Sequence, residues 1–283
     1  MPWTTLIQAE DLLPLLDDPG VVVLDARFVL GDARGAGREA YAQGHIPGAR
    51  YVDLEADLSD MGVQGGGRHP WPSETAFRRT VGRLGIAPAT QVVVYDAADG
   101  MYAARAWFLL RTLGHAHAAV LDGGIARWTQ LGYPVTRETP QVADAGPYPG
   151  AFDRARLFDG DDVQAHVAHG GLLVDARAAE RFRGEVEPLD TRAGHVPGAV
   201  NRHFALNLQD GRFKARDVLF AEFAELLSGR TPSDLVSMCG SGVTACHTLL
   251  AMAHAGLDGA KLYTGSWSGW ISDPSRPVAT GPG

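Results

Sequence analysis

The chain has 283 residues, 45% of them hydrophobic, with a formal net charge of −8; this exceeds one ordinary domain and supplies enough apolar residues for two cores. Acidity with scattered rather than massed basic residues argues against nucleic acid as a partner. No run of about 18 apolar residues suggests a membrane span, and the start MPWTTLIQAEDLLPLL lacks the features of a secretory leader, so the expected setting is the cytoplasm with no membrane partner.

In chain order, VVVLDAR (21–27) reads as a strand ending near Asp25, and GHIPGA (44–49) as a turn. YVDLEADL (51–58) leads into LSDMGVQGGGRHPWPSE (58–74), which reads as an extra loop. SETAFRRTVGRLG (73–85) shows a helical pattern, QVVVYD (91–96) a strand, ARAWFLLRTLG (104–114) a helix, and LDGGIARW (121–128) follows. TRETPQVADAGPYPGAF (136–152), rich in proline and glycine and without periodicity, reads as a linker. The pattern then recurs. LLVDAR (172–177) repeats the first strand and GHVPGA (194–199) the turn, with Asp25 and Asp175, and His45 and His195, each 150 positions apart. DLVSMCGSGVTACHT (234–248) aligns with 91–105, and YTGSWSGW (263–270) with 121–128.

This duplication divides the chain into residues 1–138, a linker at 139–152, and residues 153–283. Short apolar strands alternating with helices predict an α/β fold, a parallel sheet covered by helices on both faces, in each half. In such sheets function gathers where strand ends open into helices.

One such junction is Cys239-Gly240-Ser241-Gly242-Val243-Thr244 ahead of the helical run ACHTLLAMAHAG. A cysteine at a strand end, in a glycine-containing turn, meets main-chain N–H groups and the positive end of a helix, an environment that favours a thiolate nucleophile. Taken alone Cys239 reads equally well as a small buried apolar side chain. The duplication tips the balance, because the first copy has Asp96 there, followed by what reads as a longer turn.

The paired GHIPGA and GHVPGA turns, the DAR strands, the CGSGVTA loop and YTGSWSGW resemble the rhodanese family over nearly the whole chain. The resemblance implies two tandem rhodanese-like domains, the first silent and the second carrying a cysteine that becomes a persulfide, with the active site in the cleft between them. It implies a sulfurtransferase that takes sulfane sulfur from 3-mercaptopyruvate or thiosulfate and passes it to cyanide, a thiol or a thioredoxin-like protein. No cofactor and no metal are expected. The CGSGVT loop is similar to that of 3-mercaptopyruvate sulfurtransferases, whereas thiosulfate-preferring members carry CRKGVT, with basic side chains where Gly240 and Ser241 stand here.

Arg181, in Arg-Phe-Arg-Gly, corresponds to the family's substrate-binding arginine. The second arginine usual in mercaptopyruvate enzymes has no direct counterpart in VEPLDTR (186–192): Asp190 falls near that place, and Arg192 is the nearest substitute. Glu55 and His69 map onto an acidic residue and a histidine that family members place over the cleft, with Arg68 as a further positive charge.

His45 and His195 recur in both halves, including the one without a cysteine, and read as turn-stabilising. Arg183 reads as solvated, Cys246 as a core residue, and Trp267 and Trp270 as closing the core beneath the loop. His115 with His117, and His166 with His169, lack ligand company. Two other functions stay in view. A C-x5-R phosphatase is disfavoured because the sixth residue after Cys239 is Ala245, and a non-catalytic rhodanese sensor module is disfavoured by the intact loop.

Overall fold

A computed structural model describes residues 2–31 and 35–283. It separates into two compact units. The first holds a five-stranded sheet of order β1-β5-β4-β2-β3, from strands β1 (Leu6–Ile7), β2 (Val21–Asp25), β3 (Arg50–Tyr51), β4 (Gln91–Tyr95) and β5 (Ala118–Leu121). The second holds β6 (Leu157–Phe158), β7 (Leu172–Asp175), β8 (Val200–Asn201), β11 (Leu235–Met238) and β12 (Lys261–Tyr263) in the order β6-β12-β11-β7-β8. Every pairing in both sheets is parallel, and the two orders are one topology written twice. The chain is thus α/β with a duplicated fold.

Parallel strands covered on both faces must be apolar throughout, and all five residues of β4 and all four of β11 are buried. One core gathers Ile7, Val93, Leu121 and Trp128; the other gathers Leu173, Val236, Phe182 and Trp270. The repeat extends to polar detail. Trp128 donates its indole N–H to the Pro134 carbonyl, and Trp270 to that of Pro277, both at 2.8 Å.

The DAR motif gains a physical role. Asp25 at the end of β2 holds the Arg27 guanidinium, which donates to the Gly44 carbonyl at 2.7 Å; Arg177 does the same between Asp175 and the Gly194 carbonyl, also at 2.7 Å. Each arginine therefore ties a strand end to its Gly-His turn. Those turns close through Ala49 N–H to Ile46 C=O at 2.9 Å and Ala199 N–H to Val196 C=O at 3.0 Å, with Gly48 at φ 77° and Gly198 at φ 82°. A proline followed by a left-handed residue defines this turn, which is why glycine stands there in both copies. His45 stacks on Tyr41 at 3.8 Å and bonds its carbonyl, while His195 stacks on Phe182 at 3.9 Å and bonds that carbonyl. Both histidines are buried in fold-supporting roles.

Two stretches depart from a simple division into halves. Residues 60–71, in the first half of the sequence, belong to the second unit, while residues 210–213, which carry the short strand β10 (Arg212–Phe213), belong to the first; β9 (Leu208–Gln209) stays with the second. The 60–71 loop closes on itself through Asp60 N–H to Pro70 C=O at 3.0 Å. It lies along 265–272: Arg68 N–H donates to Ser268 Oγ and Ser272 Oγ to Gly65 C=O, both at 3.0 Å. A Cβ on Gly67 would sit 2.6 Å from the Gly265 carbonyl, so this approach requires glycine.

Candidate active site

Cys239 follows β11 directly, and its main-chain N–H donates to Ser266 Oγ at 3.1 Å. Its carbonyl accepts from Trp267 N–H at 2.9 Å, and the Gly240 carbonyl accepts from Ser268 N–H at 3.0 Å. These bonds fix the loop's carbonyls against the segment 266–268. Gly242 takes φ 75° and the helix Thr244–His254 begins. Among the described residues, no acceptor takes the N–H of Gly240, Ser241, Val243 or Thr244. Cys239 is 2% exposed.

The first unit shows what such a loop holds. Asp96 Oδ1 accepts from the N–H groups of Ala98 at 3.2 Å and Gly100 at 3.0 Å, and Oδ2 from Tyr102 at 2.9 Å and Ala103 at 3.2 Å. By position the corresponding N–H groups in the second unit are those of Ser241, Val243, Ala245 and Cys246, of which Cys246 N–H donates to the Val243 carbonyl at 3.0 Å. Here a carboxylate fills an amide nest of the kind that binds anions. Burial, with Asp99 adding to it, pushes the Asp96 carboxyl up to about 6 against the pull of those amides. The expected longer turn in the first copy is corrected: the helices begin at Met101 and Thr244, each five residues beyond Asp96 and Cys239.

Ser266 matches Gly124 of the first unit, and the two have φ 51° and φ 55°. A serine in left-handed backbone is strained, and its hydroxyl is the acceptor that holds Cys239 N–H. Sequence reading missed Ser266, although its replacement of the repeat's glycine was a visible signal.

Around the loop, His69 Nδ1 and Ser241 Oγ lie 2.8 Å apart, and both residues are buried. Arg181, at the end of the helix Ala179–Phe182, pairs with Glu187 through Nη2 at 2.7 Å and Nε at 3.2 Å, and with Asp190 at 3.3 Å. Arg68 pairs with the same Asp190. Burial opposes the Glu187 carboxylate, yet Arg181 and the N–H groups of Leu189 and Asp190 outweigh it and hold the carboxyl below its usual range. Arg177 reaches Glu187 at 3.4 Å and lies 4.7 Å over the Trp267 ring.

The predicted residues therefore divide. Cys239, its loop, His69, Arg181 and Arg68 assemble in the second unit. Arg192 does not join them: its guanidinium meets the Arg276 carbonyl at 3.5 Å and its own carbonyl accepts the Trp267 indole. Glu55 is exposed and belongs to the first unit. Cys246 is wholly buried and donates Sγ–H to the Gly242 carbonyl at 3.2 Å. Arg183 pairs with exposed Glu185. Among the described residues no group of three or more His, Cys, Asp or Glu could hold a metal ion, and no helix is long and apolar enough to cross a membrane.

The rhodanese-like domain family model matches residues 8–131 and again 159–273. The chain belongs to the rhodanese family. Among curated rhodanese relatives, the probable 3-mercaptopyruvate sulfurtransferase of Pseudomonas aeruginosa is 46% identical, over 99% of this chain and 100% of that protein. The putative thiosulfate sulfurtransferase SseB of Mycobacterium tuberculosis is 42% identical, over 98% and 97%. The solved structure of the 3-mercaptopyruvate sulfurtransferase SseA from Escherichia coli matches with a TM-score of 0.82 and 33% identity, over 94% of this chain and all of that one. With such full-length relatives, this rhodanese is an enzyme of the sulfurtransferase class.

Proposed function

We propose that the chain moves sulfane sulfur from 3-mercaptopyruvate to a thiophilic acceptor through a persulfide on Cys239, with the second rhodanese domain (153–283) catalytic and the first (1–138) silent. The carrying observation is the His69–Ser241 hydrogen bond beside a loop that bears no charged side chain of its own. The Cys239 thiolate attacks the donor sulfur. The carbon–sulfur bond breaks, its electron pair moves into the carbonyl as the enolate of pyruvate, and that enolate needs a proton. Ser241 supplies it and His69 replaces it, a relay suited to neutral pH. The persulfide gives its own proton back to His69, restoring the relay, and rests as an anion against the loop amides, as Asp96 does in the first unit. Cyanide, a thiol or a reduced thioredoxin-like protein then takes the outer sulfur and returns the thiolate, a ping-pong cycle. Such a thiol cycle fits the reducing cytoplasm.

Thiosulfate as main donor is a second reading, favoured by two arginines beside Gly240. It needs no proton, since sulfite leaves as a stable anion. Comparing kcat/KM for the two donors with cyanide as acceptor separates the readings, and mercaptopyruvate is expected to win. Cys239→Ser is expected to abolish thiocyanate formation, and mass analysis of the mercaptopyruvate-treated wild type to find one added sulfur on Cys239. No thiocyanate from either donor would leave a sensor module as the better account.

A further inference from the structure

A Cβ built on Gly240 would lie 2.7 Å from Nη2 of Arg68 and 3.6 and 3.7 Å from Nη1 and Nη2 of Arg181. A side chain at position 240 would push the Arg68 guanidinium out of this position. The positive charge that other loops of this type carry on themselves is delivered here from the 60–71 loop, into space that glycine leaves open. Both guanidinium groups converge on one carboxylate: Asp190, 4% exposed, accepts from Arg68 Nη1 through Oδ1 and from Arg181 Nη2 through Oδ2. The buried Nε of Arg68 meets no acceptor among the described residues, so its planar fork is only partly used.

We infer that Arg68 is the second arm of the donor-carboxylate site, and that Asp190 is an internal stand-in for that carboxylate which the donor displaces. This rests on the sulfurtransferase reading and identifies the side chains that select the donor. One carboxylate spanning two guanidinium groups is how a bound carboxylate is recognised. Replacing Asp190 by the donor's own carboxylate keeps the charge balance of the buried cluster. It also brings an acceptor to the unused edge of Arg68. Glu187, which accepts the N–H groups of Leu189 and Asp190 at 3.1 and 3.2 Å, holds the turn and Arg181 in place meanwhile. Arg192, the substitute suggested by sequence order, is engaged elsewhere.

The test uses the full chain and two readouts. Arg68→Ala is expected to raise KM for mercaptopyruvate about 10- to 100-fold, the worth of a hydrogen bond to a charged group, with Arg68→Lys between the two because it keeps charge without the fork. Asp190→Asn is expected to lower KM about 10-fold if the free site stands open about a tenth of the time. The second readout is the rate at which iodoacetate labels Cys239 relative to iodoacetamide, followed by mass mapping. That ratio should fall in Arg68→Ala and rise in Asp190→Asn. If iodoacetamide labels Cys239 but neither ratio nor KM moves in the two variants, the inference is overturned. If iodoacetamide fails to label Cys239 in the wild type, the persulfide reading itself goes, and this inference with it.

Discussion

At the scale of single residues, the two donors make different demands. Breaking a carbon–sulfur bond leaves a carbon-centred enolate that must be protonated, whereas breaking the sulfur–sulfur bond of thiosulfate leaves sulfite, which needs no proton. A proton relay from His69 to Ser241 should therefore matter to one donor and hardly to the other. His69→Ala is expected to lower kcat for mercaptopyruvate about 100-fold while changing kcat for thiosulfate far less. Steady-state assays of both donors on one preparation decide it. A purely structural histidine would depress both rates together, and that result would remove the relay. The sequence made Cys239 and Arg181 visible through their motifs, and His69 through a loose family match. It left Asp190 as a mere gap in an arginine pattern, because an ion pair joining residues 122 positions apart is set by two aperiodic loops.

At the scale of elements, the strand–loop–helix junction exists in two chemical versions, and the first can be titrated. The Asp96 carboxyl has its pKa raised from 3.8 to about 6, so the native state holds this proton more tightly than the unfolded chain does. Its contribution is fully favourable below the unfolded value and is lost as pH climbs through about 6, a swing on the order of 2–3 kcal/mol. Asp96→Asn cannot ionise. Its stability relative to wild type should improve by about that amount between about pH 4 and about pH 7, read from urea midpoints; parallel pH profiles would show the nest already satisfies the charge. Sequence spacing revealed the junction itself, since apolar runs of parallel strands are continuous and end at recognisable glycines. The apparent difference in turn length was misleading, because the residues that close the turn in the first copy, Ala97 to Gly100, differ in kind rather than in number from Gly240 to Val243.

At the scale of the whole molecule, duplication explains the fold but not the site. Each unit has its own sheet, its own Asp–Arg tie and its own tryptophan seal, so the halves look self-sufficient in sequence. The loop 60–71 breaks that symmetry. It follows a first-unit strand, has four glycines and no periodicity, and yet groups with the second unit, carrying Arg68 and His69 to the Cys239 loop. Nothing in the pattern of the first half could announce this destination, because the loop's bonds are to Ser268, Ser272 and Ser241 rather than to its own neighbours. Replacing residues 61–70 of the full chain by a Gly-Ser linker removes no member of either core cluster. Thermal unfolding should therefore stay within a few degrees of wild type, because the two core clusters are untouched and His69 and Pro70 are the only residues of the segment that are buried. Sulfur transfer from mercaptopyruvate should nevertheless fall at least about 100-fold, since the proton relay goes with the loop. Were the second rhodanese domain complete in itself, the same replacement would leave thiocyanate production from mercaptopyruvate intact, and one assay of the variant distinguishes the two.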